Sequence, residues 1–304
     1  MTTPMGGRDA RRFRVLWNPD AGRTTGLATD STSREALLSL MARYGLGDEL
    51  IETGSEADAA RLAREAVDLG NDVVVAAGGD GTIGSVAREL LGSQSALGML
   101  PLGTVMNIPR MLGIERDLEQ AARVLEAGHL RQIDVGTADG TVFYEAASVG
   151  IHAAYSRELS KADHGDFGAI MRSIVAAIRY RPARMKIELD GQRVIDTRAL
   201  LVAIANGPFM GAGFTIAPEA SLEDGLFDVR IFLDYSKVEL VLHFAGIAFG
   251  RRRYEPRART DRAASVRVVA SEPLPARADS EDLGTTPVVF RIRPKALWVV
   301  SGSD

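Results

Sequence analysis

The chain contains no cysteine, which excludes disulfides, thiolate catalysis and cysteine–zinc sites at once. It also lacks a long apolar run. The longest apolar window, Val238–Phe249, is interrupted by His243 and falls short of the roughly 20 residues that a membrane-spanning helix needs. Met1 to Arg12 is polar and basic with no apolar stretch, so a secretory signal is not expected. No Walker A sequence occurs, which rules out an ordinary P-loop. Positive charge is not in excess either: 36 Lys and Arg against 40 Asp and Glu give a net charge of −4. A general nucleic-acid binder is usually basic, so no nucleic-acid partner is expected. The expectation is a cytoplasmic protein, at most peripheral at the inner face of a membrane. Arg251, Arg252, Arg253, Arg257, Arg259 and Arg262 form a basic cluster. It reads as a solvated loop, or more sharply as a patch that meets anionic headgroups.

At 304 residues the chain is long enough for two domains. Phe13–Trp17 reads as a short strand, and Ser33–Tyr44 as an amphipathic helix stopped by Gly45. Glu49–Thr53 fits a second strand. Ser55-Glu56-Ala57-Asp58 resembles a capping box at the head of a helix that runs to Leu69. Val73–Ala77 is a third strand, Ile83–Leu91 a helix, Leu97–Pro101 a fourth strand and Asp117–Ala127 another helix. Alternating helices and near-continuous apolar strands predict a doubly wound parallel sheet over residues 11–133. From Asp134 to residue 304 strand candidates follow one another closely, with hairpin turns at Asp139-Gly140 and Asp190-Gly191. They predict a β-rich, mainly antiparallel second domain ending in strands near Ser265–Val269, Val288–Ile292 and Leu297–Val300. Phe167–Tyr180 and Lys237–Phe249 read as helices that pack on a core ahead of lining a lipid site.

The chemistry concentrates where Val73–Ala77 empties into Gly78-Gly79-Asp80-Gly81-Thr82. Glycines at a strand-to-helix junction allow close backbone approach, and a helix N-terminus favours an anion. Asp80 would repel a phosphate unless it holds a metal, takes a proton or bonds a hydroxyl, so the combination points to phosphoryl transfer. Gly79 to Gly84 also matches the dinucleotide pattern Gly-x-Gly-x-x-Gly. That pattern belongs to the first βα unit with a later carboxylate, whereas this turn follows the third strand and the next strand ends in Pro101-Leu102-Gly103-Thr104 without one.

The strand–Gly-Gly-Asp-Gly-Thr–helix segment resembles the diacylglycerol kinase catalytic domain family, which includes bacterial lipid kinases. NAD kinases share the turn, so four further segments carry the resemblance. They are Asn18-Pro19-Asp20-Ala21-Gly22, the stretch from Pro101 through Ile114, Ala217–Gly225, and Asp279-Ser280-Glu281 where bacterial lipid kinases have Asp-Gly-Glu. They lie in the family's order and span most of the chain. The resemblance implies an ATP- and Mg²⁺-dependent kinase acting on a lipid hydroxyl, diacylglycerol-like, within phospholipid metabolism. ATP would be cradled by Asn18, Pro19, Asp20, Ala21, Gly22, Thr53, Gly78, Gly79, Asp80, Gly81, Thr82, Ile83, Gly84 and Thr104. Each segment follows a parallel strand, where ligands of open α/β sheets bind. Asp80 would engage Mg²⁺–ATP or the acceptor hydroxyl, and Glu281 would be the general base. Asp224 with the backbone carbonyls of Ser221 and Leu226 would hold a structural Mg²⁺. A lipid substrate and peripheral membrane contact follow, with a homodimer left open.

Three positions depart from the family pattern: Asn107 stands where an aspartate is common, Gly84-Ser85 replace Asn-Glu, and Ser280 replaces a glycine. They keep two alternatives in view, a catalytically silent nucleotide- or lipid-binding regulator and an NAD kinase-like enzyme. His152 reads as a structural or hydrogen-bonding residue, and Asp134 as a turn cap or a member of an acidic network.

Overall fold

A computed structural model of the chain describes residues 11–22, 32–160, 175, 179–211, 213–233 and 258–302. The helices expected at Phe167–Tyr180 and Lys237–Phe249, apart from residues 175, 179 and 180, and the arginines at 251–253 and 257 lie outside the described residues. The chain divides into two compact units, Met1–Asp134 with Pro294–Asp304 and Val135–Arg293. The last eleven residues thus belong with the first unit, although chain order alone assigns them to the second.

In the first unit the order is β1 (Phe13–Trp17), α1 (Arg34–Arg43), β2 (Leu50–Glu52), α2 (Glu56–Asp68), β3 (Val73–Gly78), α3 (Asp80–Leu90), β4 (Ala96–Pro101), α4 (Asn107–Met111) and α5 (Leu118–Ala127). The strands pair in parallel in the order β4-β3-β1-β2. Every residue of β1, β3 and β4 is buried, as expected when a parallel sheet is covered on both faces. The helices start where the polar residues said they would. Ser33 accepts from Ala36 N–H, Ser55 from Asp58 N–H and Asp117 from Gln120 N–H, each satisfying a donor that the first helical turn leaves without a partner. Asp58 reciprocates by accepting from Gly54 N–H at 3.1 Å.

One boundary differs. Helix α3 begins at Asp80 rather than Ile83, so tertiary context overrides the poor helix propensity of Asp-Gly-Thr-Ile-Gly.

The second unit holds the end of β5 (Leu130–Ala138), then β6 (Thr141–Phe143), β7 (Ala146–Gly150), α6 (Ile151–Ser160), β8 (Ala183–Leu189), β9 (Arg193–Ala205), β10 (Phe209–Met210), β11 (Phe214–Thr215), β12 (Phe227–Leu233), β13 (Ala258–Ala263), β14 (Ser265–Ala270), β15 (Pro275–Ala278), β16 (Glu281–Thr285) and the first part of β17 (Val288–Val300). Its strands run in the order β16-β15-β7-β9-β8-β14-β17 with antiparallel neighbours. β12 pairs with both β9 and β13. Both expected hairpins form: Asp139 and Gly140 have φ of 46° and 94°, and Asp190 and Gly191 have 52° and 66°.

The two strands expected near the C-terminus are one. β17 continues through Pro294 and Lys295, where φ of 51° marks an irregularity, and Val299 then pairs in parallel with Leu97 of β4. The Arg293-Pro294-Lys295 interruption reads locally as a break, and only the pairing with β4 reveals continuity. Asp134 accepts from Lys295 N–H at 2.8 Å here, the bond that a turn cap makes.

The core of the second unit centres on Phe143, fully buried and stacked on Phe227 at 5.6 Å, with Phe290 edge-on at 6.3 Å. Gly136, directly across the β5–β6 ladder, makes room for it: a Cβ there would strike the Phe143 ring. Among the described residues no helix is long and apolar enough to cross a membrane. Phe143→Ala removes a ring packed on all sides and is expected to cost about 3–5 kcal/mol, read as a lowered urea midpoint at unchanged slope.

Candidate functional site

In the first unit, four turns gather at the C-terminal edge of the parallel sheet. The Asn18–Gly22 turn leaves β1 with Asn18 N–H donating to Ala77 O at 2.9 Å. Asn18 Oδ1 accepts from Asp20 N–H at 3.0 Å, and its Nδ2 donates to Thr82 Oγ1 at 3.2 Å. The side chain of Asn18 therefore ties the first turn to the start of α3. Thr53 is buried, with both its N–H and its hydroxyl on Trp17 O, so that side chain braces the β1 turn.

Gly78 and Gly103 have no room for side chains. A Cβ on Gly78 would lie 2.7 Å from Thr82 Oγ1, and one on Gly103 would lie 2.7 Å from Gly79 Cα and Met106 Sδ. Bare backbone of the β3 turn thus meets bare backbone of the β4 turn, with Thr104 exposed beside it. Gly79 caps α3 without a side-chain hydrogen bond. The N–H groups of that first turn have no intrahelical acceptor and point where an anion is favoured.

Asp80, the first residue of α3, is half-buried. Its Oδ2 accepts from Met106 N–H at 2.8 Å and its Oδ1 from Ile108 N–H at 3.4 Å. Burial pushes its pKa above the ordinary carboxylate value, opposed by the N–H groups of Met106, Ile108 and Asn107. Those amides open α4, whose cap Met106 sits in the left-handed region with φ of 58°. Such a conformation costs a non-glycine residue on the order of 1 kcal/mol, and the bonds from Asp80 offset it. Asn107, the departure from the family pattern, is fully buried at the start of this helix.

The second unit holds a matching device. Asp279 Oδ2 accepts from Tyr144 N–H at 2.7 Å, and Oδ1 from the N–H groups of Glu145 and Ala146 at 3.1 Å each. Asp279 and Ser280 form the loop between β15 and β16, with Asp279 at φ of 44°. Glu281 follows as the first residue of β16. It is exposed, and its carboxylate has no hydrogen bond or ion pair among the described residues. Arg277 donates through Nε to Asp279 O at 3.1 Å and through a terminal nitrogen to Ser280 O. Ser148 lies opposite Arg277 in the β7–β15 register, and its hydroxyl is 2.8 Å from His152 Nδ1. The His152 ring packs edge-on to Tyr155 at 5.1 Å. Burial, with Arg277 adding to it, lowers the His152 pKa to about 4. Arg277 and the amides of Tyr144–Ala146 escape sequence reasoning, since each acts through the backbone of a distant turn.

The Ser221–Leu226 turn precedes β12. Asp224 accepts from Leu226 N–H at 3.0 Å and pairs with Arg262 at 2.7 Å, and Arg262 also reaches Asp228 at 3.4 Å. Among the described residues no three carboxylates or imidazoles converge on one point. A cation at this turn would therefore lean on backbone carbonyls beside Asp224. A carboxylate has lone pairs beyond those two bonds, so the donor set, one carboxylate and carbonyl oxygens, fits a hard divalent ion.

Residues 12–138 match the diacylglycerol kinase catalytic domain, and residues 146–301 match the YegS C-terminal NAD kinase beta sandwich-like domain. A diacylglycerol kinase of Bacillus subtilis is 27% identical over 289 residues, spanning 92% of this chain and 93% of its own length. A protein named probable lipid kinase YegS-like from Cronobacter sakazakii is 32% identical over 232 residues, with 74% of this chain and 75% of its own length covered. The crystal structure of a diacylglycerol kinase from Bacillus anthracis superposes with a TM-score of 0.73 at 19% identity, covering 97% of this chain and 98% of that one. At that identity the likeness concerns the fold.

His152 gives a pH test of the second-unit cluster. Its folded pKa, about 4, lies below the ordinary histidine value. The unfolded chain therefore binds the extra proton first, and stability is lost as pH falls from about 6.5 toward 4. Urea titrations at pH 7 and pH 5 should show the wild type losing about 2 kcal/mol through this group, a loss that His152→Gln does not share.

Proposed function

This chain belongs to the diacylglycerol kinase catalytic domain family, and on that premise we propose that it transfers the γ-phosphoryl group of Mg²⁺–ATP to a lipid hydroxyl, with a diacylglycerol-like acceptor. The observation that carries the reading is the Gly78–Gly84 turn. Its uncapped helix N-terminus and side-chain-free faces at Gly78, Gly79 and Gly103 suit a polyphosphate, which backbone N–H groups and the helix dipole attract.

Asn18 to Gly22, Thr53, Gly78 to Gly84 and Thr104 form the nucleotide site in this proposal. Asn18 and Thr53 shape the first turn, while Thr82 and Asn18 lock it to α3. Asp80 holds the Met106–Ile108 turn in place rather than taking the proton, because its carboxylate is already bonded to those amides. Magnesium enters with the nucleotide as part of the substrate. Glu281, exposed and next to a rigid turn, accepts the proton of the acceptor hydroxyl. As that proton leaves, the hydroxyl oxygen bonds to the γ-phosphorus, the bond from phosphorus to the bridging β-oxygen breaks, and ADP departs. A second Mg²⁺ at Ser221, Asp224 and Leu226 would stiffen the turn before β12. A lipid acceptor brings the protein to a membrane surface, consistent with a peripheral enzyme at the cytoplasmic face, as a monomer or homodimer.

Purified protein incubated with γ-labelled ATP, Mg²⁺, a lipid panel and, separately, NAD tests the reading. Labelled lipid is expected. Formation of NADP would transfer the assignment to an NAD kinase-like reaction, and nucleotide binding without any labelled product would make the chain a silent binder. Glu281→Gln should lower kcat by about 10²- to 10⁴-fold with KM for ATP unchanged. Without nucleotide, millimolar Mg²⁺ should raise the melting temperature of the wild type but not of Asp224→Asn. An equal response in both would remove the metal from that turn.

A further inference from the structure

We infer that Arg277 is a positioning residue for the reaction, its guanidinium holding the carbonyls of Asp279 and Ser280 together and so fixing the turn that presents Glu281. The inference rests on Glu281 being the base. The turn it concerns is demanding. Two-residue hairpin loops favour positive φ either at both central positions or at the first alone, and glycine adopts it there at least cost. Here Asp279 has φ of 44° and Ser280 lies outside the left-handed region, so the costly first position is filled by a residue other than glycine. Something other than local backbone preference has to hold it.

Two devices do so from opposite sides of the loop. The Asp279 carboxylate takes the N–H groups of Tyr144, Glu145 and Ala146, which anchors the loop to the strand connection before β7. Arg277 takes the carbonyls of both loop residues, one through Nε and one through a terminal nitrogen. A guanidinium is a planar fork with donors fixed relative to one another, so it can hold two carbonyls in a set geometry, whereas an ammonium is a point charge on a flexible stem. Arg277 is itself held. It alternates along β15 with buried Ala276 and Ala278 and lies across from buried Ser148, whose partner His152 is a neutral ring. A neutral imidazole leaves the guanidinium without a like charge beside it. Glu281 is the next strand residue, paired with Ala278, so a rotation of the loop moves its carboxylate directly.

Steady-state kinetics of the purified full chain decide the point, with Arg277→Ala, Arg277→Lys and Glu281→Gln compared for kcat, KM for ATP and melting temperature. Arg277→Ala should lower kcat by about 10- to 100-fold, the scale that displacement of a reacting group by an ångström produces, while KM for ATP stays at the wild-type value. Arg277→Lys should fail to restore kcat although it keeps the charge. Millimolar methylguanidine should recover part of the activity of Arg277→Ala and none of that of Glu281→Gln. If Arg277→Ala does not fold, Arg277→Lys at an unchanged melting temperature carries the test. An inactive Glu281→Gln beside a fully active Arg277→Ala or Arg277→Lys overturns this inference alone. A fully active Glu281→Gln overturns the base assignment and this inference with it.

Discussion

Two aspartates, each bonded to consecutive backbone amides of a turn far away in sequence, hold the geometry on which everything else depends. Asp80 takes the amides at the head of α4, 26 and 28 residues on. Asp279 takes the amides of Tyr144, Glu145 and Ala146, more than 130 residues before it. A hydrogen bond to a charged group contributes roughly 1.5–3 kcal/mol, and a carboxylate shielded from water without such partners would be costly. Each clamp also stabilises a residue in the left-handed region, Met106 beside the first and Asp279 within the second. Without these bonds the turns have no local reason to adopt the conformations they do.

The same constraint sorts the carboxylates by role. Asp80 and Asp279 direct their oxygens to backbone amides, Asp224 binds Leu226 N–H and Arg262 with lone pairs left over, and Asp134 caps Lys295. Glu281 differs, being exposed and without such bonds among the described residues. A motif with an aspartate at its centre invites the assumption that the aspartate reacts. In both units the aspartate builds the frame, and in our account the glutamate next to one of them does the proton transfer.

Much of this architecture was legible in the residues, for physical reasons that can be named. The parallel strands announced themselves because burial on both faces leaves Val73–Ala77 and its neighbours continuously apolar. The helix starts at Ser33, Ser55 and Asp117 were visible because a capping side chain acts within three residues of itself, and the Asp139-Gly140 hairpin because its φ values demand those residue types. What escaped was non-local. The early start of α3 runs against the local propensity of Asp80–Gly84. The continuity of β17 depends on Leu97, and the partners of Asp80, Asp279 and Arg277 are backbone groups, which carry no residue identity for a pattern to find. The family resemblance located the candidate site residues through motif order, but it could not say which carboxylates were already committed.

The division of labour stands or falls on Asp80. Calorimetric titration of Asp80→Asn with Mg²⁺ and a non-hydrolysable ATP analogue, beside its melting temperature, measures it most directly. If Asp80 frames the nucleotide turn, the variant binds at least about tenfold more weakly, roughly 1.4 kcal/mol, and melts at a lower temperature. A variant that binds the analogue as tightly as the wild type and melts with it, yet no longer turns over, would place Asp80 in the chemical step and contradict the account.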